Sequence, residues 1–438
     1  MNVNDINRLR KAGRLNEAYQ AAEAFWQQFP FSAIARNAMA WVVYDLARQN
    51  ATFERQQQFL RCLDKINSIG MPTVPDDTFW PAVEWLARGM VATVDRHTST
   101  RGLPADTRFF DQLLQRLLAM PLRQPSDHHS ALLQTMLRVK VDWNRFDEFC
   151  RWWDFQNLRP DDFLPFETQG GQRVRPLAER AFMAYSKCLW QKPPSDYTMQ
   201  WAERLALISQ QHPDYTFMPF YRAKLMIKCG RSAEARAVLT PFAQRKQNDF
   251  WVWELLGDIA DEHRRLPFYA KAALCAAPPE MLVNLREKLA AELARLQHWP
   301  QAKTELQTLV HTRRAKQWAI PAKVMEMTSQ PWFEQTQADT RAADFYRPLA
   351  QQAEKEVLGY EKKQKPFEGT IRINPKGGFG KVGDVFVPAK KAARFQNGDK
   401  VCGIAETSVD RKKNRVGWSA ISIKPKKGQG GCRVKKVL

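Results

Sequence analysis

Apolar residues recur at three- and four-residue intervals over most of the chain, the spacing that lines one face of an α-helix. Near the N-terminus Ile6, Leu9, Leu15, Ala18, Tyr19, Ala22 and Phe25 follow this period, interrupted by Gly13 and ended by Pro30. A second run, Ala33 to Arg48, carries Ile34, Ala38, Trp41, Val42 and Leu46. The two runs predict a helical hairpin. Between Thr52 and about Trp190 five more helices are predicted, on FERQQQFLRCLDKI, FWPAVEWLARGMVATV, FFDQLLQRLLAM, HSALLQTMLRVKV and LAERAFMAYSKCLW. Proline- and glycine-containing clusters separate them, the usual joints of stacked helices. The longest irregular stretch, Asp162 to Pro176, reads as a connector.

A repeat then emerges. GRLNEA at Gly13–Ala18 returns as GRSAEA at Gly230–Ala235. Trp253, Leu256 and Gly257 give W-x2-L-G, which opens the tetratricopeptide pattern, and Pro278 falls where such a repeat closes. Ala235, Ala270 and Ala302 take matching second-helix positions at intervals of 35 and 32 residues, bracketing the period of about 34. Stacked helix pairs of this kind form an elongated groove suited to a protein segment. A last amphipathic helix is predicted over Thr340–Tyr360, and the charged, aperiodic EKKQKP (Glu361–Pro366) marks a domain boundary.

After Pro366 the period changes to two. Ile371 and Ile373 alternate with polar residues, Phe379 and Lys381 with Gly380 and Val382, and Phe386 with Val385 and Val387. KVCGIAE and VGWSAISI add a fourth and a fifth strand, joined by the basic turn SVDRKKNR. Five short strands with glycine turns fit a small Greek-key barrel. The expected architecture is mainly α: a TPR-like α-solenoid followed by a small C-terminal β-barrel of the OB/cold-shock type. Its divisions are an N-terminal helical domain (1–195), TPR-like repeats (196–345), a helix and linker (346–365), the barrel (366–424) and a basic tail (425–438).

Charge sharpens this picture at one end. The net charge is +21, and residues 361–438 hold 20 of the 67 Lys and Arg against 6 of the 46 Asp and Glu. Two thirds of the excess thus lies in the barrel and tail, which points to a polyanionic partner there. Successive strand side chains alternate between faces. With the valines turned inward, Phe379, Lys381 and Phe386 share the outer face. Rings interleaved with cations offer stacking platforms for bases and charge for phosphates, which suits RNA or single-stranded DNA. Arg372, Lys376 and, in the basic turn, Lys412, Lys413 and Arg415 are candidate phosphate contacts. Trp418 is a further platform or, in phase with Val416 and Ala420, a core residue.

The ordered motifs KGGFGKV (Lys376–Val382), DVFVP (Asp384–Pro388) and NGDKV (Asn397–Val401) resemble those of a cold-shock domain, especially the modules of RNase R-type exonucleases. The resemblance implies base stacking by Phe379 and Phe386. Lys381 stands where the family usually has a second aromatic, Pro388 where it has a histidine, and the first-strand tryptophan is missing, with Arg372 or Ile373 nearby. Losing platforms worth about 1–3 kcal/mol each leaves modest affinity, little sequence preference and strong salt dependence. Helical repeats followed by such a barrel, together with ARNAMAWVVYDLAR (Ala35–Arg48), resemble the accessory proteins of bacterial TOTE-type conflict systems, which implies a role in defence beside nucleic-acid enzymes.

No enzyme or cofactor signature accompanies these features. His128 and His129 read as an adjacent pair in a loop without metal-ligand spacing, and Asp76–Asp77 and Asp161–Asp162 sit at expected helix starts, where short acidic side chains cap. GGFG lacks the GK[ST] of a phosphate loop. Seven scattered cysteines argue for a reducing compartment and against a disulfide framework or zinc finger. No apolar run reaches the ~18 residues of a membrane span, and the N-terminus lacks a signal-peptide core. A cytoplasmic, non-enzymatic adaptor without metal or cofactor is expected, with nucleic acid on the barrel and a protein partner on the helices. Two other readings stay open at this point: a purely protein-binding scaffold, and a nuclease- or toxin-like effector with a non-local site in residues 51–200.

Overall fold

The computed structural model describes residues 2–69, 78–104, 106–122, 124–139, 143–167, 170–360, 362–375, 377–410 and 415–426. Their contacts divide the chain into two compact units, Met1–Arg231 and a second beginning at Ser232.

The first unit is helical. Val3–Lys11 (α1), Leu15–Gln28 (α2) and Ala33–Gln49 (α3) pack together through Ile6, Ala18, Ala22 and Val42. Gly13 makes the sharp α1–α2 junction with φ +75°, a conformation costly to any residue with a Cβ. The five helices expected next are Gln56–Ile69 (α4), Phe79–Thr100 (α5), Thr107–Leu118 (α6), Asp127–Val139 (α7) and, after a break, Leu177–Gln191 (α9). Phe146–Trp153 (α8) was not anticipated. Asp196–Gln211 (α10) and Met218–Lys228 (α11) complete the unit. Within the stretch 162–176, Phe166–Glu167 (β1) and Arg173–Val174 (β2) pair as a short antiparallel ribbon.

His128 and His129 lie on α7, not in a loop. His129 is fully buried, with Nδ1 2.7 Å from Glu84 Oε1 and Nε2 3.3 Å from the Trp153 carbonyl, and its ring stacks on that of Trp153. This contact ties α5, α7 and α8 together. Asp162 accepts hydrogen bonds from the Arg159 backbone N–H at 2.9 Å and from Ser130 Oγ at 2.6 Å. It caps a short 3-10 turn, the role its position predicts. Asp76 and Asp77 lie outside the described residues.

In the second unit, Ser232–Arg245 (α12) leads to the hairpins Phe250–Asp258/Arg265–Ala273 (α13/α14) and Val283–Arg295/Trp299–Ala315 (α15/α16). Ala235, Ala270 and Ala302 are completely buried on α12, α14 and α16, as small residues at close helix crossings should be. Two short helices, Ala322–Thr328 (α17) and Pro331–Gln335 (α18), pack on α16. Ala342–Leu358 (α19) then turns back over the second helices. Its Tyr346 hydroxyl donates to Glu305 of α16 at 2.9 Å, Glu354 pairs with Lys271 of α14 at 2.6 Å, and Glu356 pairs with Arg236 of α12. The face that α12, α14 and α16 present is therefore covered by the chain itself. Gly359, with φ +73°, closes α19 in the left-handed conformation.

The barrel follows. Gln364–Thr370 (β3) and Arg372–Ile373 (β4) are the halves of one bent strand, separated by the buried Ile371. Gly380–Val382 (β5), Val385–Val387 (β6), the one-turn helix Ala389–Ala392 (α20), Lys400–Asp410 (β7) and Arg415–Pro425 (β8) complete it. The order is β3-β7-β8-β6-β5-β4, with β6 and β8 parallel and the other pairs antiparallel. One half of the bent strand pairs with β7 and the other with β5, so the sheet curls round onto its own first strand. Inward-facing Ile371, Val382, Val385, Val387, Val401, Ala405 and Ala420 fill the centre. At roughly 1.5 kcal/mol or more for each buried valine, they supply much of the drive for this small fold. No helix among the described residues is long and apolar enough to cross a membrane.

Candidate nucleic-acid interface

β5 and β6 each read buried–exposed–buried, so Lys381 and Phe386 stand outward between inward valines. They are direct cross-strand partners, and Arg372 on β4 pairs with Lys381 on its other side. Register carries the row further: Phe386 faces Ser419 on β8, Ser419 faces Glu406 on β7, and Glu406 faces Gln364 on β3. Opposed residues in a sheet share a face. The outer surface thus runs Arg372, Lys381, Phe386, Ser419, Glu406, cationic and aromatic at one end and polar at the other.

Phe379 enters from the turn before β5. Asn374 donates its backbone N–H to the Phe379 carbonyl at 2.8 Å, and Gly378 donates to the Asn374 carbonyl at 2.9 Å. Gly378 has φ +64°, which explains glycine there. At Gly377 the reason is space: a Cβ would lie 2.8 Å from the Phe379 ring. The turn sets the Phe379 ring 5.5 Å from that of Phe386, with planes inclined at 38°. Phe386 is 40% exposed. Phe379, Lys381, Arg372 and Thr370 line a cleft of about 750 Å³ beside this pair. A planar group entering it meets a ring, with two cations within reach of an attached anion.

Of the residues singled out from sequence, Phe379, Lys381, Phe386 and Arg372 come together here. Trp418 does not join them as a bare platform. It is half-buried against the barrel core, and Lys365 Nζ lies 4.5 Å from its ring centroid while pairing with Asp384 at 2.6 Å. Of its two possible roles, core packing is the one observed. Lys376, Lys412 and Lys413 lie outside the described residues, as does the tail beyond residue 426; Arg415 begins β8, and its side chain is likewise undescribed.

Sequence reasoning missed what flanks the barrel. Lys362 bonds Glu354 of α19 at 3.0 Å and approaches Glu406 at 3.9 Å, so two carboxylates share one lysine where helices meet barrel. Nearby, burial pushes the Tyr360 phenol above its ordinary value, helped by Glu406 and Glu354, so it remains a neutral donor. The only local signal was the charged run EKKQKP, which has no periodicity to assign its partners. Among the described residues no group of three or more His, Cys, Asp or Glu is placed to hold a metal.

A bent first strand pairing at both edges, a parallel pairing that closes the sheet, and a short helix after the third strand define a barrel of the OB class. The C-terminal module is an S1/cold-shock-like domain. Residues 365–423 match the family model for S1/CSD-like domain 2 of the TOTE conflict systems. Residues 216–353 match a domain of unknown function, DUF7017. No curated protein matches the chain.

Proposed function

We propose that this chain is a non-enzymatic adaptor of a bacterial defence system, whose barrel tethers RNA or single-stranded DNA while its helices carry a protein partner. The observation that carries the reading is the outward Lys381–Phe386 pair, with Phe379 tilted against Phe386 and Arg372 beside Lys381. Ring faces give sequence-tolerant stacking and the cations give phosphate attraction. The match of residues 365–423 to a TOTE-system domain supports the defence setting. The stacked hairpins of the second unit are a common protein-binding scaffold. Since α19 occupies the α12–α14–α16 face, the partner docks on a different helical surface.

The deciding experiment titrates a short labelled oligonucleotide with the full chain at several salt concentrations. Binding that weakens steeply with salt, and that falls on Phe379→Ala with Phe386→Ala, is expected. Absence of salt-dependent binding would remove the nucleic-acid role and leave a protein scaffold. Incubation with RNA and DNA plus a divalent cation should leave both intact; cleavage would replace the adaptor by an effector nuclease.

A further inference from the structure

The outer row of the barrel does not end at Phe386. Two residues from Ser419 along β8 lies Gly417, whose partner across the ladder is Ser408 of β7. Side chains two apart share a face, so Ser408 belongs to the surface that carries Phe386 and Lys381. Ser408 also lines a cavity of about 630 Å³ together with Gln244, Arg245 and Gln247, from the end of α12 and the turn after it. Tyr360 lines it as well. Strand spacing of ~4.8 Å and a rise of ~3.3 Å per residue put Ser408 roughly 12 Å from Phe386 along this surface.

The groups on that path suit a nucleic-acid strand. Ser408 is exposed, and Ser419 and Gly417 are small, so nothing bulky interrupts it. Glu406, the one acid in the row, is occupied by Gln364 at 3.2 Å and Lys362 at 3.9 Å, so it does not present a bare charge. Arg245 is exposed on the last turn of α12 and makes no ion pair among the described residues. It packs no core and neutralises no acidic partner among the described residues; its local role is that of a cation on the last helical turn.

We infer that the helical domain completes the nucleic-acid path: a strand stacked on Phe379 and Phe386 continues across β8 and β7 into this cavity, where Arg245 receives a phosphate. Gln244, Gln247, Ser408 and Tyr360 line the same space with Pro241, Leu358 and Val409; the glutamine amide nitrogens are bonded to backbone carbonyls, which leaves Arg245 as its cation. The inference rests on the nucleic-acid reading above and adds a second contact point, contributed by helix rather than barrel.

The test uses the full chain and fluorescein-labelled oligothymidylates of about 4 and about 12 nucleotides, one at the lower limit and one well inside the footprint of about 4–16 nucleotides for such a barrel. Wild type should bind the longer oligonucleotide more tightly than the shorter. Arg245→Ala should weaken the longer by about five- to tenfold and lower its salt slope by ~0.7, one single-strand phosphate contact. The shorter, spanning only the ring pair, should bind as before, and Arg245→Lys should restore most of the loss. Unchanged binding of the longer oligonucleotide to Arg245→Ala, or equal weakening of both lengths, would overturn the inference while leaving the barrel's role intact. A wild-type chain that binds neither length would overturn both.

Discussion

Phe379 and Phe386 sit on neighbouring segments of the barrel with ring centroids 5.5 Å apart, and the Lys381 ammonium stem rises beside Phe386 as its cross-strand partner. The three side chains make one small surface. Phe386 gives up much of its burial to be there, although the same strand buries Val385 and Val387 almost completely. A ring left in water beside a cation contributes little to folding, which makes these residues separable from the core by mutation.

Replacing Phe386 or Phe379 by alanine should therefore cost binding and spare stability. Each ring is worth about 1–3 kcal/mol of stacking, roughly a five- to 150-fold loss in oligonucleotide affinity. Phe386→Ala should move the thermal midpoint by little, since an exposed substitution usually changes stability by within about 0.5 kcal/mol. Anisotropy titration with a melting curve on the same preparation reads both. A variant that binds normally would show that the rings do not contact bases.

Charge at this surface should act through salt. Removing Lys381 with Lys381→Gln should reduce the slope of log K against log salt by ~0.7 and weaken binding to all sequences alike. A slope unchanged from wild type would place Lys381 away from the phosphates.

Glycines distinguish the site from the scaffold. In Gly377→Ala the new Cβ would approach the Phe379 ring to 2.8 Å, and the ring would swing away because a side chain can yield. Binding should fall severalfold while the fold persists. At Gly403 the Cβ would meet the Ser422 backbone oxygen at 2.0 Å, across the β7–β8 ladder, where neither strand has room to move. Gly403→Ala should unfold or grossly destabilise the barrel, seen as lost strand signal in circular dichroism. A stable, well-folded Gly403→Ala would contradict the register described for β7 and β8.

These contrasts also mark what was legible in the amino-acid order. The two-residue alternation in GKV and VFV placed Lys381 and Phe386 outside and the valines inside, because a half-buried strand permits little else. Helices α1 to α7 and α9 declared themselves by a one-sided apolar period. FDEFCRWW carries the same period, with Phe146, Phe149, Cys150 and Trp153 at i, i+3, i+4 and i+7, but over only eight residues, too few for the period to stand out. Trp418 was ambiguous because its phase put it with both Val416, which is exposed, and Ala420, which is buried. The structure packs it partly against the core, with Lys365, more than fifty residues away, over its ring. The return of α19 onto α12, α14 and α16 was equally silent, since an amphipathic pattern reveals an apolar face without naming what it packs against. Arg245 beside Ser408 is the same kind of fact, a meeting of distant residues.

Buried polar contacts in the first unit give a stability prediction. Both ring nitrogens of His129 face acceptors, Glu84 Oε1 at 2.7 Å and the Trp153 carbonyl at 3.3 Å, and neither side chain reaches water. Removing one partner leaves a desolvated polar group without its hydrogen bond, a loss on the order of 1–3 kcal/mol. Glu84→Leu and His129→Leu should each lower the denaturant midpoint strongly, and the double variant should lose clearly less than the two losses added. Additive losses would mean that the two groups do not interact.

Glu354 tests how the barrel is held. Its carboxylate, buried on α19, receives Lys271 of α14 at 2.6 Å and Lys362 of the linker at 3.0 Å. Lys362 in turn lies near Glu406 on the barrel. One carboxylate thus joins a helical hairpin, the last helix and the barrel. Glu354→Leu would leave two lysines facing an apolar side chain, and the cheapest escape is for Lys362 to swing into water, taking the linker with it. The expected result is faster tryptic cleavage at Lys362 or Lys363, releasing a fragment that contains the barrel. Because the cavity holding Arg245 lies across the same junction, Glu354→Leu should also weaken the longer oligonucleotide and leave the shorter unaffected. Wild-type proteolysis with wild-type binding of both lengths would show that the pairing is dispensable and that the junction is held by packing of α19 alone.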